Sequence, residues 1–476
     1  MKKKTPINFF SLRVQLGLTI VLVEILFIDK LASAGMEFVL SSVIVTVALL
    51  IQLRFGIRQA AAAPADSIVF VFNWMFLDLA PKVQLIAMPR QLINTSTVTV
   101  DGVALTNLIC ALFMIAFTLF YVFLSRRPQI RPDSAAAADP QREFSAGAVG
   151  LAVFVCVLVV GIAAPRAYAQ VENAVAATPA SLIMNRFLLF LPTATLLILL
   201  NETVRSGRKL LFSRGCVLLL LFILVIITEN TYTEKRNAIG PIYIALLLVA
   251  MQRWFAAGFR RLLLLVGGMV VVFPAIAIFT HNRSQTISSV SLQQITDHIA
   301  DHYFSINYDS WANIYTAVEI VKVHGMQWGH QLLGSLLFFV PSSVWHSKPL
   351  ATGIFLADYL IRNYSMWFTN LSAPLVAEGY LDFGPGGVVA YAAAMAWFVV
   401  LLNRIAEKGT KWIALPLAIY TSVFLMIVLR GSLMIALGFA AAALLSFLFA
   451  SALLSVRWGA RRQVVRGGHA AHGLTQ

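Results

Sequence analysis

Between residues 280 and 385, an otherwise apolar chain gathers the side chains best suited to chemistry. Six of its eight histidines fall there (His281, His298, His302, His324, His330 and His346), with four of its nine tryptophans, Trp311, Trp328, Trp345 and Trp367. His298 and His302 are four apart, so a helix would put them on one face with Asp301 beside His302. That spacing suits metal ligation, contact with a sugar or diphosphate, or a plain solvated face. The Glu of a zinc-protease motif is absent, and Ile299 stands in its place. His302, Asp309 and Glu378 are of the type needed to take or orient a hydroxyl proton. For Glu378 the alternatives are a helix cap near Asp382 or a pair with Arg362. Aromatics interleaved with carboxylates suit sugar rings, and they equally suit an interface belt.

Four cations stand at the ends of apolar segments on the side of this stretch: Arg236, Arg283, Lys348 and Arg430. Guanidinium groups bind phosphate through paired hydrogen bonds, and several converging on one point neutralise a diphosphate. Taken singly, each also suits snorkelling or pairing with a neighbour, such as Glu234 for Arg236.

These residues need a scaffold, and composition names it. Of 476 residues, 59% are hydrophobic and only 12% charged, and the mean hydropathy is +0.81. This is an all-α polytopic membrane chain, not a string of soluble domains. With about 20 apolar residues per span, helices are expected near 14–34, 36–54, 66–82, 102–124, 145–164, 181–200, 210–228, 239–255, 262–280, 386–404, 412–430 and 433–455. The third is the weakest, because Asn73 and Asp78 interrupt it. Residues 332–345 are apolar but too short to span, and suit a re-entrant or interfacial helix ending at Pro341. Cys110, Cys156 and Cys216 lie apart in apolar runs and read as packing residues.

The net charge of +15 is a topology signal. With about twelve spans, the basic clusters in short loops all fall on one side, as does the 456–476 tail, which makes both termini cytoplasmic. Nucleic acid is not needed as a partner. The chain then divides into helices over 1–279 with a cytoplasmic linker near 125–143, a large periplasmic loop over 280–385, and closing helices over 386–455.

Three ordered pieces carry a resemblance: Glu234-Lys235-Arg236-Asn237, then Val340-Pro341 through Trp345-His346-Ser347-Lys348-Pro349, then Ser372-Ala373-Pro374 through Glu378-Gly379-Tyr380-Leu381-Asp382-Phe383-Gly384. With Leu429-Arg430-Gly431-Ser432 closing, the set resembles bacterial oligosaccharide repeat-unit polymerases of the O-antigen (Wzy) type, over about residues 210–450. The resemblance implies an inner-membrane glycosyltransferase of GT-C-like architecture. It would transfer a growing glycan from undecaprenyl diphosphate onto the next lipid-linked repeat unit in surface-polysaccharide (lipopolysaccharide) biosynthesis, with a chain-length regulator and a flippase as associated proteins. Arg236, Arg283, Lys348 and Arg430 would hold the diphosphate, and Glu378, Asp309 or His302 would serve the acceptor hydroxyl. The chain has no Asp-x-Asp or Glu-x-Asp, so the expected reaction uses no metal or other cofactor. An O-antigen ligase, which uses the same donor with lipid A–core as acceptor, is the nearest alternative. A lipid-sugar transporter is the alternative of a different class.

Overall fold

The computed structural model describes residues 9–32, 35–58, 63–126, 144–173, 179–207, 211–229, 236–256, 258–272, 302–408 and 412–456. Among them every regular element is helical, and strand pairing is limited to one bridge between Gln91 and Thr97. Among the described residues, seven helices are long and apolar enough to cross a membrane: Met36–Phe55, Ala65–Ala87, Val100–Ser125, Ala146–Pro165, Ile183–Ser206, Leu375–Glu407 and Leu433–Leu454. Phe212–Thr228, Ile239–Ala250 and Ala414–Arg430 are apolar but shorter. The first helix, α1 (Phe9–Ala32), has the length but carries Arg13, Glu24, Asp29 and Lys30.

The weakest expected span forms after all. It runs as α3 (Ala65–Phe72), a π-helical segment (Asn73–Leu79) and α4 (Ala80–Ala87). The two polar residues that interrupt its hydropathy are each met by a neighbour. Asn73 Nδ2 donates to Gln52 Oε1 at 2.9 Å, and Asp78 pairs with Lys82 one turn on. Gln52 belongs to α2 (Met36–Phe55), which packs with α1 and with α5 (Val100–Ser125). Further along come α6 (Ala146–Asn173), α7 (Pro179–Ser206), α8 (Phe212–Thr228), α9 (Arg236–Ala250) and α10 (Gly258–Gly267).

The segment between the apolar helices is described from His302 onward. It holds α11 (Ser310–His324), α12 (His330–Leu336) and α13 (Thr352–Tyr364). The apolar 332–345 stretch is helical only to Leu336 and continues as turns, short of the expected end at Pro341. The chain then enters α14 at Leu375, a full segment earlier than the expected start at 386. A kink at Phe383 and Gly384 divides α14; Gly384 takes φ 60°, the left-handed region where glycine is favoured, and Pro385 follows. The early start moves Glu378 and Asp382 out of the loop and onto a helix. Two closing helices complete the bundle, α15 (Ala414–Arg430) and α16 (Leu433–Leu454). α14 packs on α5, α11 and α15.

Candidate functional site

Arg430 is the last residue of α15, and Asp309 caps the start of α11. Arg430 Nη2 donates to Asp309 Oδ1 at 3.2 Å and to the carbonyl of Ile306 at 3.3 Å. The guanidinium also lies over the Phe76 ring, 6.0 Å from its centroid. Three elements therefore hold one cation: α15, the turn entering α11 and the π-helical segment of the third span. The arginine side chain is 17% exposed and its Nε is buried without an acceptor among the described residues.

Asp309 is held from its other side. Its Oδ2 accepts from Asn313 Nδ2 at 3.0 Å and from the Ser372 backbone N–H at 3.0 Å. Asn313 Nδ2 also donates to the Ser372 carbonyl at 2.9 Å, and Asn313 Oδ1 accepts from Asn94 Nδ2 at 2.9 Å. Asp309, Asn313 and Asn94 are all buried. A carboxylate with both oxygens bonded and no freedom of rotation fixes the direction of its arginine.

An aromatic stack connects this pair to His302. Tyr308 stacks on Phe76 at 5.0 Å and on Tyr303 at 4.8 Å, and the His302 ring meets Tyr308 edge-on at 5.4 Å. Gln84 Nε2 donates to the carbonyls of Tyr303 (2.8 Å) and Tyr308 (3.1 Å), tying this turn to α4. Burial pushes the Tyr308 and Tyr303 hydroxyls above their ordinary range. Asp309, Arg430 and His302 are thus brought together.

Glu378 has a different setting. It is fully buried, and its Oε1 accepts from the Leu433 N–H at 2.8 Å and from Ser432 Oγ at 3.4 Å. A carboxylate at the start of α16 satisfies an orphan N–H and complements the helix dipole. It is a cap, as one reading of the sequence allowed, but for α16 and not for a helix beginning near Asp382. Asp382 caps in turn, accepting from Gln331 N at 3.1 Å, Leu332 N at 2.9 Å and Tyr391 Oη at 3.0 Å. The proposed partner Arg362 pairs instead with Asp358 at 2.7 Å.

Lys348 also turns inward. Its Nζ donates to the carbonyls of Phe338 (2.7 Å) and Val340 (2.8 Å), closing the turns that follow α12, and partial burial lowers its pKa. Its bonds run to those turns and not to Arg430. Arg236 opens α9 with its side chain outside the description. Arg283, His281 and His298 lie outside the described residues, so the expected convergence of four cations reduces to Arg430 alone within them. The His298–His302 metal pairing falls outside for the same reason.

The aromatics divide as well. Trp311, a candidate for sugar stacking, is a core residue whose Nε1 donates to Asn107 Oδ1 at 3.0 Å. Trp328 and Trp367 are 77% and 78% exposed. Sequence reasoning missed Asn94, Asn313, Ser372 and Phe76; the four-residue spacing from Asp309 to Asn313 was the one local signal available. It also missed the Arg186–Glu229 pair at 3.1 Å. That pair borders a cavity of about 30 Å³, lined also by Phe190, Tyr420, Phe424 and Ile427, the last one turn before Arg430.

No protein-family model, curated protein or solved structure matches this chain.

Proposed function

We propose that this chain is a glycosyltransferase of the bacterial inner membrane that polymerises undecaprenyl-diphosphate-linked oligosaccharide repeat units into O-antigen or a related surface polysaccharide. The observation that carries the reading is the fixed Arg430, held by Asp309, Ile306 and Phe76 where the extramembrane segment meets the helix ends. Departure of a lipid diphosphate builds negative charge on the leaving oxygen. A cation whose orientation is set beforehand stabilises that charge without reorganising. Arg430 would take this role, and its unpartnered Nε–H supplies a donor in addition to the charge. Asp309 is the positioning residue. Of the expected bases, Asp309 is taken up by Arg430 and Glu378 is occupied as a cap, which leaves His302, across the Tyr308 ring, for the acceptor hydroxyl.

In this reading the full chain has about twelve spans in a GT-C-like arrangement, both termini are cytoplasmic and residues 280–374 are periplasmic. Arg236 and Arg283 join the diphosphate site, and basic side chains take the place a metal ion holds in other glycosyltransferases. The test is transfer in vitro. Purified protein is mixed with the host's own lipid-linked repeat unit in EDTA, and products are resolved on a gel. A ladder lost in Arg430→Ala supports the polymerase. Activity only after addition of lipid A–core identifies a ligase instead.

One observation favours a second reading, transport of a lipid-linked sugar. Ionisable residues are buried inside spans, Glu24, Asp78 and Lys82 in one cluster and Asp66 in another, as in many transporters. Movement of a labelled lipid-linked sugar across proteoliposomes, without any ladder, decides for it.

A further inference from the structure

The cluster between α1, α2 and α4 carries an inference independent of either reading. Lys82 Nζ contacts Glu24 Oε2 at 2.5 Å, Asp78 Oδ1, and Thr46 Oγ1 at 2.8 Å. Its hydrogen bonds go to Asp78 and Thr46, and Glu24 is its ion-pair partner. The side chains of Lys82, Glu24 and Asp78 are only 6%, 8% and 1% exposed. With all three ionised, the cluster would hold one net negative charge inside the span, where an uncompensated charge is expensive.

The hydrogen bonds show where a neutralising proton belongs. Glu24 is well supplied as a carboxylate, since Ser42 Oγ donates to Oε1 at 3.0 Å while Thr46 Oγ1 (2.9 Å) and Lys82 reach Oε2. On Asp78 both donors meet the same oxygen, whereas on Glu24 each oxygen has its own. Asp78 Oδ1 faces Lys82 and, at 3.3 Å, the single hydroxyl hydrogen of Thr46 that is nearer Glu24. Asp78 also borders a small cavity of about 10 Å³, lined by Ser42, Lys82, Asn107, Leu77 and Pro81. The groups facing the cluster are Glu24 from α1, Ser42 and Thr46 from α2, Lys82 from α4 and Asn107 from α5; Asn107 is bonded in turn to Trp311 of α11. Arg261 of α10 acts on Asp66.

We propose that Asp78 binds one proton at neutral pH, making Glu24, Asp78 and Lys82 an electrically neutral proton site that latches α1 to α2 and α4. Deprotonation of Asp78 leaves the charge uncompensated and loosens α1. The chemistry predicts a coupled response: Asp78→Asn removes the acid, and Glu24→Gln lets Asp78 ionise opposite Lys82.

The test is infrared spectroscopy of the full-length protein in lipid nanodiscs, comparing wild type with E24Q and D78N. The expected result is loss of the same single protonated-carboxyl C=O band in both variants. If E24Q keeps the band, or neither variant removes one, the proposal is overturned. If E24Q does not fold, raising the pH of the wild type should remove a band that D78N lacks at every pH; its persistence overturns the idea equally. Thermal stabilisation by sodium or potassium, with no acid band, would mean that a metal cation neutralises the site and would also overturn it.

Discussion

Arg430 and Asp309 stand 121 positions apart, yet one ends the apolar helix α15 and the other begins α11 at a guanidinium–carboxylate distance of 3.2 Å. The contact joins the helix bundle to the segment over it, so stability and the proposed chemistry depend on the same bond.

Asp309→Asn should therefore lower stability by about 3 kcal/mol, the scale for breaking a buried ion pair. Arg430→Gln should cost a similar amount, and the double variant less than the sum, with a coupling above about 0.5 kcal/mol. Thermal unfolding of the four proteins in one detergent measures it. Additive losses would show that the pair does not act as a unit. In the transfer assay Arg430→Lys should keep a charge but lose most activity, because it abandons Phe76 and the Ile306 carbonyl.

The role of Glu378 separates cleanly by substitution. As a cap it should tolerate Gln, whose carbonyl still accepts from Leu433 N–H, whereas Ala should cost about 2 kcal/mol. A general base behaves the opposite way, with Gln abolishing transfer while stability holds. Melting curves and product ladders for both variants distinguish the two.

Tyr359 gives a pH dependence with a defined sign. Partial burial, Glu319 charge and the 3.1 Å bond to Glu319 push its hydroxyl up to about 12. Its unfolded value is lower, near 10, so the folded form binds its proton more tightly. The stabilisation is fully present below pH 10 and is lost as pH rises toward 12. Melting temperature should fall across that window, and fall less in Tyr359→Phe. Ultraviolet titration of tyrosinate should show the matching late transition missing in the variant.

The kink in α14 rests on a close backbone approach. A Cβ at Gly387 would lie 1.9 Å from the Gly379 carbonyl oxygen, a clash with main chain that no rotamer relieves. Gly387→Ala should give poorly folded protein by size-exclusion profile, while Gly386→Ala, which meets open space, should run as wild type.

The sequence by itself determined that apolar helices of membrane length dominate this protein. Runs of apolar residues of membrane length specify helices in lipid, because a backbone without water must bond to itself. Long-range pairing was not legible. Asn73 and Asp78 looked like defects in a span until Gln52 was placed opposite the first, and Lys82 beside the second was met by Glu24 from α1. Glu378 looked like a loop carboxylate until the kink put it beneath Leu433, and Lys348 looked available until two carbonyls claimed it. Hydropathy is a property of single segments, whereas the fate of a charge in a membrane depends on what another segment presents to it. Only the tertiary structure decided which cation stands beside Asp309 and which carboxylates serve as caps.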